Sequence, residues 1–303
     1  MPESSRETAT ADAPYGVRPP GYRLPAGTRV GRVRLQVADL ARSLDYYERV
    51  LGLRVLGRAP GSATLGAHGD ERPIVELHEH PGATPVPRRG RLGLYHFAIL
   101  LPDRAALGRF LLHLGRIGVH AGMSDHYVSE AVYLSDPDGL GIEVYADRPR
   151  EEWRHEGRQL VMATEPLDVQ AVVRAADGGA WTGLPAGTTL GHVHLFVADL
   201  EESAAFYHDG LGFDKVVWSY PGALFMSAGG YHHHLGTNTW AAGAQRALDG
   251  DARMLEWEIV LPGEGDIAAA ARNLESRGVS AVRDGRELVV VDPTGTAVRL
   301  VSG

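Results

Sequence analysis

Residues 24–40 read LPAGTRVGRVRLQVADL and residues 184–200 read LPAGTTLGHVHLFVADL, 160 positions apart with twelve of seventeen residues identical. A near-copy of this length means that the chain is built more than once from one plan. In the second copy Val193, Leu195 and Val197 alternate with His192, His194 and Phe196. That period of two predicts a strand with one apolar face. Asp39 and Asp199 then stand at a helix N-cap. Leu40, Leu44, Tyr47 and Leu51 share one face of the first helix, and Leu200, Ala204, Tyr207 and Leu211 share one face of the second. Gly52 and Gly212 end them.

Each copy is followed by a looser relative of itself. YHFAILLPDRAAL (95–107) and WEIVLPGEGDI (257–267) again give a strand and then a helix. The relatives close on DPDGLGIEVY (136–145) and DPTGTAVRLV (292–301), an Asp-Pro turn followed by a strand. The fold class is therefore α+β, with four βαβββ modules at roughly 29–84, 91–148, 189–242 and 252–303. Pairing neighbours gives an N-terminal domain (29–148) and a C-terminal domain (189–303). Residues 1–28 are expected to be a flexible arm. Residues 149–188 are expected to be a linker, with a short helix in PLDVQAVVRAA.

A net charge of −8 argues against nucleic acid or an anionic membrane surface as partner. No apolar run approaches the ~20 residues of a membrane span. MPESSRETATADAP lacks the apolar stretch of a signal peptide, and a chain without cysteine fits the cytoplasm. A small molecule is the expected partner, and a homo-oligomer is compatible with the sequence. Without thiolates, any metal must be held by His, Asp or Glu.

Histidines concentrate where the two long copies differ: Arg32 and Arg34 become His192 and His194, and Tyr231-His232-His233-His234 follows in the same module. Three residues in a row on a strand alternate, so His232 and His234 are expected to share a face and His233 to point away. Alignment of the repeats makes His192 equivalent to Arg32, His96 and Glu256. It makes Glu143 equivalent to Arg299, each seven residues after its turn aspartate. Matching ALFMSAGGYHHHL to VYLSDPDGLGIEV puts His234 at that same position, and ELHE puts Glu76 there.

GHVHLFVADLEESAAFYHDGLGF (191–213) and YLSDPDGLGIEVY (133–145) resemble the opening and closing of modules in the vicinal oxygen chelate superfamily. Its members include glyoxalase I, extradiol dioxygenases and the bleomycin resistance proteins. Four modules with GGYHHHLGTNTW in the third most resemble bacterial catechol 2,3-dioxygenases. The resemblance implies paired modules forming cupped mixed sheets around a metal, with ligands on the first and last strands of each module. Extradiol enzymes usually take His from the first strands of the third and fourth modules and Glu from the last strand of the fourth. Glyoxalase I uses the last strand of both modules.

His192 fits the extradiol pattern, whereas Glu256 and Arg299 stand where His and Glu are expected. The implied set is His192, His234 and Glu256 around Fe(II), with Mn(II) or another divalent ion as the alternative. Glu258 is the second choice of carboxylate. Arg299 would hold Glu256 or an anionic substrate, and His194 or His232 would move the proton of a catechol during cleavage by O2. The rival set is Glu76, His96 and Glu143, with Arg32 able to neutralise either glutamate. Other functions compatible with the resemblance are a metal-dependent isomerase or lyase and a metal-free antibiotic-binding protein.

Overall fold

The computed structural model describes residues 15–303. The four modules are present, each a strand, a helix and three strands. The first comprises β1 (Arg29–Val37), α1 (Leu40–Arg49), β2 (Arg54–Ala59), β3 (Ser62–Gly66) and β4 (Pro73–Glu79). The second comprises β5 (Gly93–Leu100), α2 (Arg104–Ile117), β6 (Gly122–Asp125), β7 (Ser129–Ser135) and β8 (Gly141–Asp147). Helix α3 (Val169–Arg174) lies in the linker, where a short helix was expected. The third module has β9 (Thr189–Phe196), α4 (Leu200–Ala204, widening into a π-helix over Ala205–Leu211), β10 (Asp214–Val217), β11 (Ala223–Ser227) and β12 (Leu235–Asn238). The fourth has β13 (Arg253–Leu261), α5 (Glu264–Ser276), β14 (Ala281–Asp284), β15 (Glu287–Val291) and β16 (Ala297–Ser302).

The expected N-caps form: Asp39 accepts from the Arg42 amide, and Asp199 from the amides of Glu201 and Glu202. The Asp-Pro turns are held by their own aspartates. Asp136 accepts from the amides of Asp138 and Leu140, and Asp292 from those of Thr294 and Thr296. Both turns also bind a preceding helix, through Tyr47 Oη to Asp136 (3.3 Å) and Tyr207 Oη to Asp292 (2.7 Å).

Sheet pairing departs from the expectation that neighbouring modules pair. One eight-stranded sheet runs β14-β15-β16-β13-β1-β4-β3-β2, joining the fourth module to the first. The other runs β10-β11-β12-β9-β5-β8-β7-β6, joining the third to the second. In each sheet the first strands of two modules meet antiparallel at the centre, and each pairs parallel with its own last strand. The boundaries 29–148 and 189–303 therefore do not separate the sheets. Neighbouring modules meet instead through a common apolar core. Val33 and Leu35, Phe97 and Ile99, Val193 and Leu195, and Trp257 and Ile259 are at most 1% exposed and belong to one cluster. Burial of each such side chain stabilises the fold by about 1.5–3 kcal/mol.

The arm expected over 1–28 is docked where it is described. Val17 bridges Lys215, Tyr15 Oη donates to the Gly230 carbonyl, and Arg23 pairs with Asp214 at 2.7 Å. Residues 1–14 lie outside the described residues. No helix among the described residues is long and apolar enough to cross a membrane.

Candidate metal centre

Alternation along the two central strands sends Phe97 and Val193 into the core and turns His96 and His192 to the opposite face. Glu143 joins them from β8, which pairs in parallel with β5 and sets Glu143 beside Ala98. His96 Nε2 lies 3.0 Å from Glu143 Oε2, His192 Nε2 lies 3.1 Å from the same oxygen, and the two Nε2 atoms are 3.3 Å apart. All three residues are at least 95% buried. This is the one group of three or more such side chains among the described residues whose ligand atoms converge closely enough to hold an ion.

The chemistry of these atoms fits a divalent cation. Neighbouring ligand atoms lie about 3.0 Å apart around an octahedral ion with bonds of about 2.1 Å, and about 3.4 Å apart around a tetrahedral one. The observed spacings fall within that interval. Protons alone satisfy the cluster poorly. If both histidines donate to Glu143, two N–H groups face each other at 3.3 Å. The Nδ1 atoms of both are buried without a partner. Burial pushes His192 down to about 4 against the pull of Glu143, so its ring is neutral near pH 7. Burial works to raise Glu143, but His192 and His96 together hold its carboxyl well below the usual range. A neutral His192 imidazole and an ionised Glu143 carboxylate result.

The centre forms the floor of a 250 Å³ cavity walled by Tyr95, Tyr133, Tyr220, Phe225 and Trp240. Met162, Ala163 and Thr164 of the linker close one side. His126 ties that segment down: its Nδ1 donates to the Ala163 carbonyl (2.6 Å), while its Nε2 accepts from Tyr133 Oη (2.6 Å).

Of the leading set expected to hold a metal, His192, His234 and Glu256, only His192 lies here. Glu256 and Arg299 are in the other sheet, bound to each other at 2.8 Å. Arg299 also holds Glu287 at 2.6 Å and Asp284 at 2.9 Å, so it points to neither a metal nor this cavity. Glu258 pairs with Arg32 at 2.8 Å, and Arg32 with Glu76 at 3.0 Å. The positions equivalent to the centre therefore form an ion-pair network in the sheet that joins the fourth module to the first. The rival set is likewise divided: His96 and Glu143 belong to the centre, whereas Glu76 does not.

His234 is not at the expected strand position. Arg34 faces Glu76, Ala98 faces Glu143 and Glu258 faces Arg299, and the corresponding partner of His194 is Gly236. The repeat alignment was thus two residues out. Residues 231–234 precede β12, so strand alternation does not govern them. His233 faces the cavity, its ring 4.0 Å from that of His192. His234 turns away into a separate recess beside Arg29 and Arg150, and its Nδ1 accepts from the Ala228 amide.

His194 does line the cavity, with Nε2 accepting from Asn238 Nδ2 at 3.0 Å, which leaves Nδ1 as its N–H. His232 is fully buried behind His233 and bridges it to Asp147. His96, Glu143 and His233 are the residues that the leading sequence reading left out. The repeat alignment had marked the first two as ligand positions, and what it lacked was the pairing of the second module with the third.

The family model described as Glyoxalase/Bleomycin resistance protein/Dioxygenase superfamily matches residues 29–144 and 189–298. The chain is 43% identical over 274 residues to a Bacillus subtilis (strain 168) protein named Catechol-2,3-dioxygenase, covering 89% of this chain and 95% of that one. Among solved structures, a putative dioxygenase from Bacillus subtilis superposes with a TM-score of 0.64 at 15% identity, over 93% of this chain and 86% of the other. Glyoxalase I from Zea mays superposes with a TM-score of 0.54 at 20% identity, over 91% and 92%. At those identities the two structures speak for the fold alone.

Proposed function

Because the chain belongs to the Glyoxalase/Bleomycin resistance protein/Dioxygenase superfamily, we propose that it is an extradiol-type ring-cleaving dioxygenase. Its substrate is a catechol or a related aromatic with two adjacent hydroxyls, and His96, Glu143 and His192 hold Fe(II). The observation that carries this reading is the convergence of two imidazoles and one carboxylate at the floor of an aromatic-walled cavity. Two histidines and a carboxylate on one side suit Fe(II) with positions open for substrate and O2, and Mn(II) is the alternative. The 43% identical relative supports the same reading. A divalent ion bound there supplies chelation of the two adjacent oxygens and a path for electron density from ring to O2.

The chain's own residues then do the following. Tyr95, Phe225 and Trp240 bury the flat faces of the ring. The linker residues Met162, Ala163 and Thr164 exclude water from one side. His194, with Nε2 engaged by Asn238, offers Nδ1–H to an oxygen in the cavity. Burial holds His233 well below the ordinary histidine range, as do the neighbouring histidines. It is therefore neutral, and its place on the cavity wall with its ring 4.0 Å from that of His192, rather than its basicity, makes it the group assigned the second hydroxyl proton. The same reading makes the partners a small aromatic diol and O2 and the location cytoplasmic. Gly236 speaks against a glyoxalase-type lyase, since the last strand of the third module offers no ligand at that position.

The test is anaerobic reconstitution with Fe(II) and a panel of catechols, followed by admission of O2. Appearance of the yellow ring-opened product only with iron and O2 supports the reading. Full iron loading with no turnover of any diol overturns it.

A further inference from the structure

We propose that Asp147 and His232 are positioning residues that hold His233 as a hydrogen-bond acceptor towards the cavity. This rests on the ring-cleavage reading for its use, though not for its geometry. His232 Nε2 lies 2.9 Å from Asp147 Oδ1, and His232 Nδ1 lies 2.7 Å from His233 Nδ1. His232 is fully buried and His233 is 5% exposed, so bulk water does not set their protons. Asp147 stands at the rim, its side chain 26% exposed.

The proton positions follow in order. An ionised carboxylate only accepts, so His232 carries its proton on Nε2. In that tautomer His232 Nδ1 accepts, and His233 donates from its own Nδ1. That leaves the Nε2 of His233 bare. Nε2 has no partner among the described residues, and His233 lines the cavity while His232 does not. In the opposite tautomer His233 would present an N–H and could not take a proton. With the inferred arrangement, the O–H bond of the second hydroxyl breaks and an N–H bond forms at Nε2. His233 then becomes an imidazolium next to His232 and Asp147.

Strand β8 supplies both the ligand and this support. Glu143, Tyr145 and Asp147 alternate onto one face. Glu143 meets the two ligand histidines, Tyr145 Oη contacts Tyr231 Oη at 2.6 Å, and Tyr231 Oη donates to Asp147 at 3.2 Å. One strand thus registers the carboxylate ligand against the far end of the histidine chain.

The experiment compares Asp147→Ala and Asp147→Asn with the full-length wild-type protein, each loaded with Fe(II). Asp147→Ala is expected to lower kcat at least tenfold at unchanged KM and iron content. The loss should shrink for a nitro-substituted catechol, whose acidic hydroxyl needs less help to ionise. Asp147→Asn keeps an acceptor oxygen and should recover most of the rate. A loss equal for both substrates, or an Asn variant no better than Ala, overturns the proposal. Nitrogen NMR of ¹⁵N-histidine-labelled, iron-free protein decides the geometry even if no diol is cleaved. His233 protonated on Nδ1 in the wild type and redistributed in Asp147→Ala supports it. His233 protonated on Nε2 in the wild type, or unchanged in the variant, overturns it.

Discussion

Replacing Gly236 by alanine tests whether the third module lacks a ligand side chain because the ring of His194 fills that space. A Cβ at 236 would lie 2.9 Å from Cγ and Cδ2 of His194 and 3.0 Å from its Nδ1. Carbon atoms rest at about 3.5–4.0 Å, so the ring must retreat by about 0.6 Å or more. It has little room to do so. His194 is 4% exposed, with the rings of His96, Tyr95 and Phe225 at 5.0, 5.2 and 5.5 Å, and Asn238 bonded to it at 3.0 Å. Overpacking costs about 1–3 kcal/mol and a lost hydrogen bond about 1 kcal/mol, so destabilisation of about 2–4 kcal/mol is expected. Urea denaturation measures it, with Gly57→Ala as control, since nothing lies within 4 Å of a Cβ there. The control should be unchanged or stabilised by about 0.4–1 kcal/mol. In the proposed enzyme, Gly236→Ala should also lower kcat while keeping its metal. A Gly236→Ala protein as stable as the control, with wild-type turnover, would refute the packing argument.

His192→Ala, His96→Ala and Glu143→Gln should each lose most bound iron by metal analysis. Arg32→Ala and Glu256→Gln should keep it, because these residues sit in the ion-pair network of the other sheet. His233→Ala should retain iron yet lose at least about a hundredfold in kcat, the usual contribution of a general base, whereas His234→Ala should turn over normally. Burial raises Asp136 to about 7, above the ordinary aspartate value. The folded state therefore binds the proton more tightly than the unfolded one, and this group's contribution falls as pH rises from about 4 to 7. Asp136→Asn should remove that dependence, so urea midpoints measured at pH 5 and pH 8 should differ less in the variant than in the wild type.

The modules, their caps and their turns were legible because each depends on local pattern: a period of two, a capping aspartate, an Asp-Pro turn. The equivalence of His192, His96, Arg32 and Glu256 was legible for the same reason. Which modules share a sheet was not, because the apolar faces of Val33, Phe97, Val193 and Trp257 are interchangeable in pattern. All four enter one core whichever edges meet. The two-residue error at His234 arose in the loop before β12. Gly229 and Gly230 both take positive φ there (61° and 69°), turning the chain so that 231–234 fall outside the strand. That glycine pair was the overlooked signal. With Gly236 rather than His234 at the ligand position, and the second module beside the third, His192 meets His96 and Glu143.

The most direct measurement is a crystal structure of the protein loaded anaerobically with Fe(II), with the ion located by its anomalous scattering. The account predicts a single peak about 2.0–2.2 Å from His96 Nε2, His192 Nε2 and a Glu143 carboxylate oxygen, open on the side of Tyr95 and His233. A peak between His192 and His234, or at Glu256 in the other sheet, would contradict it.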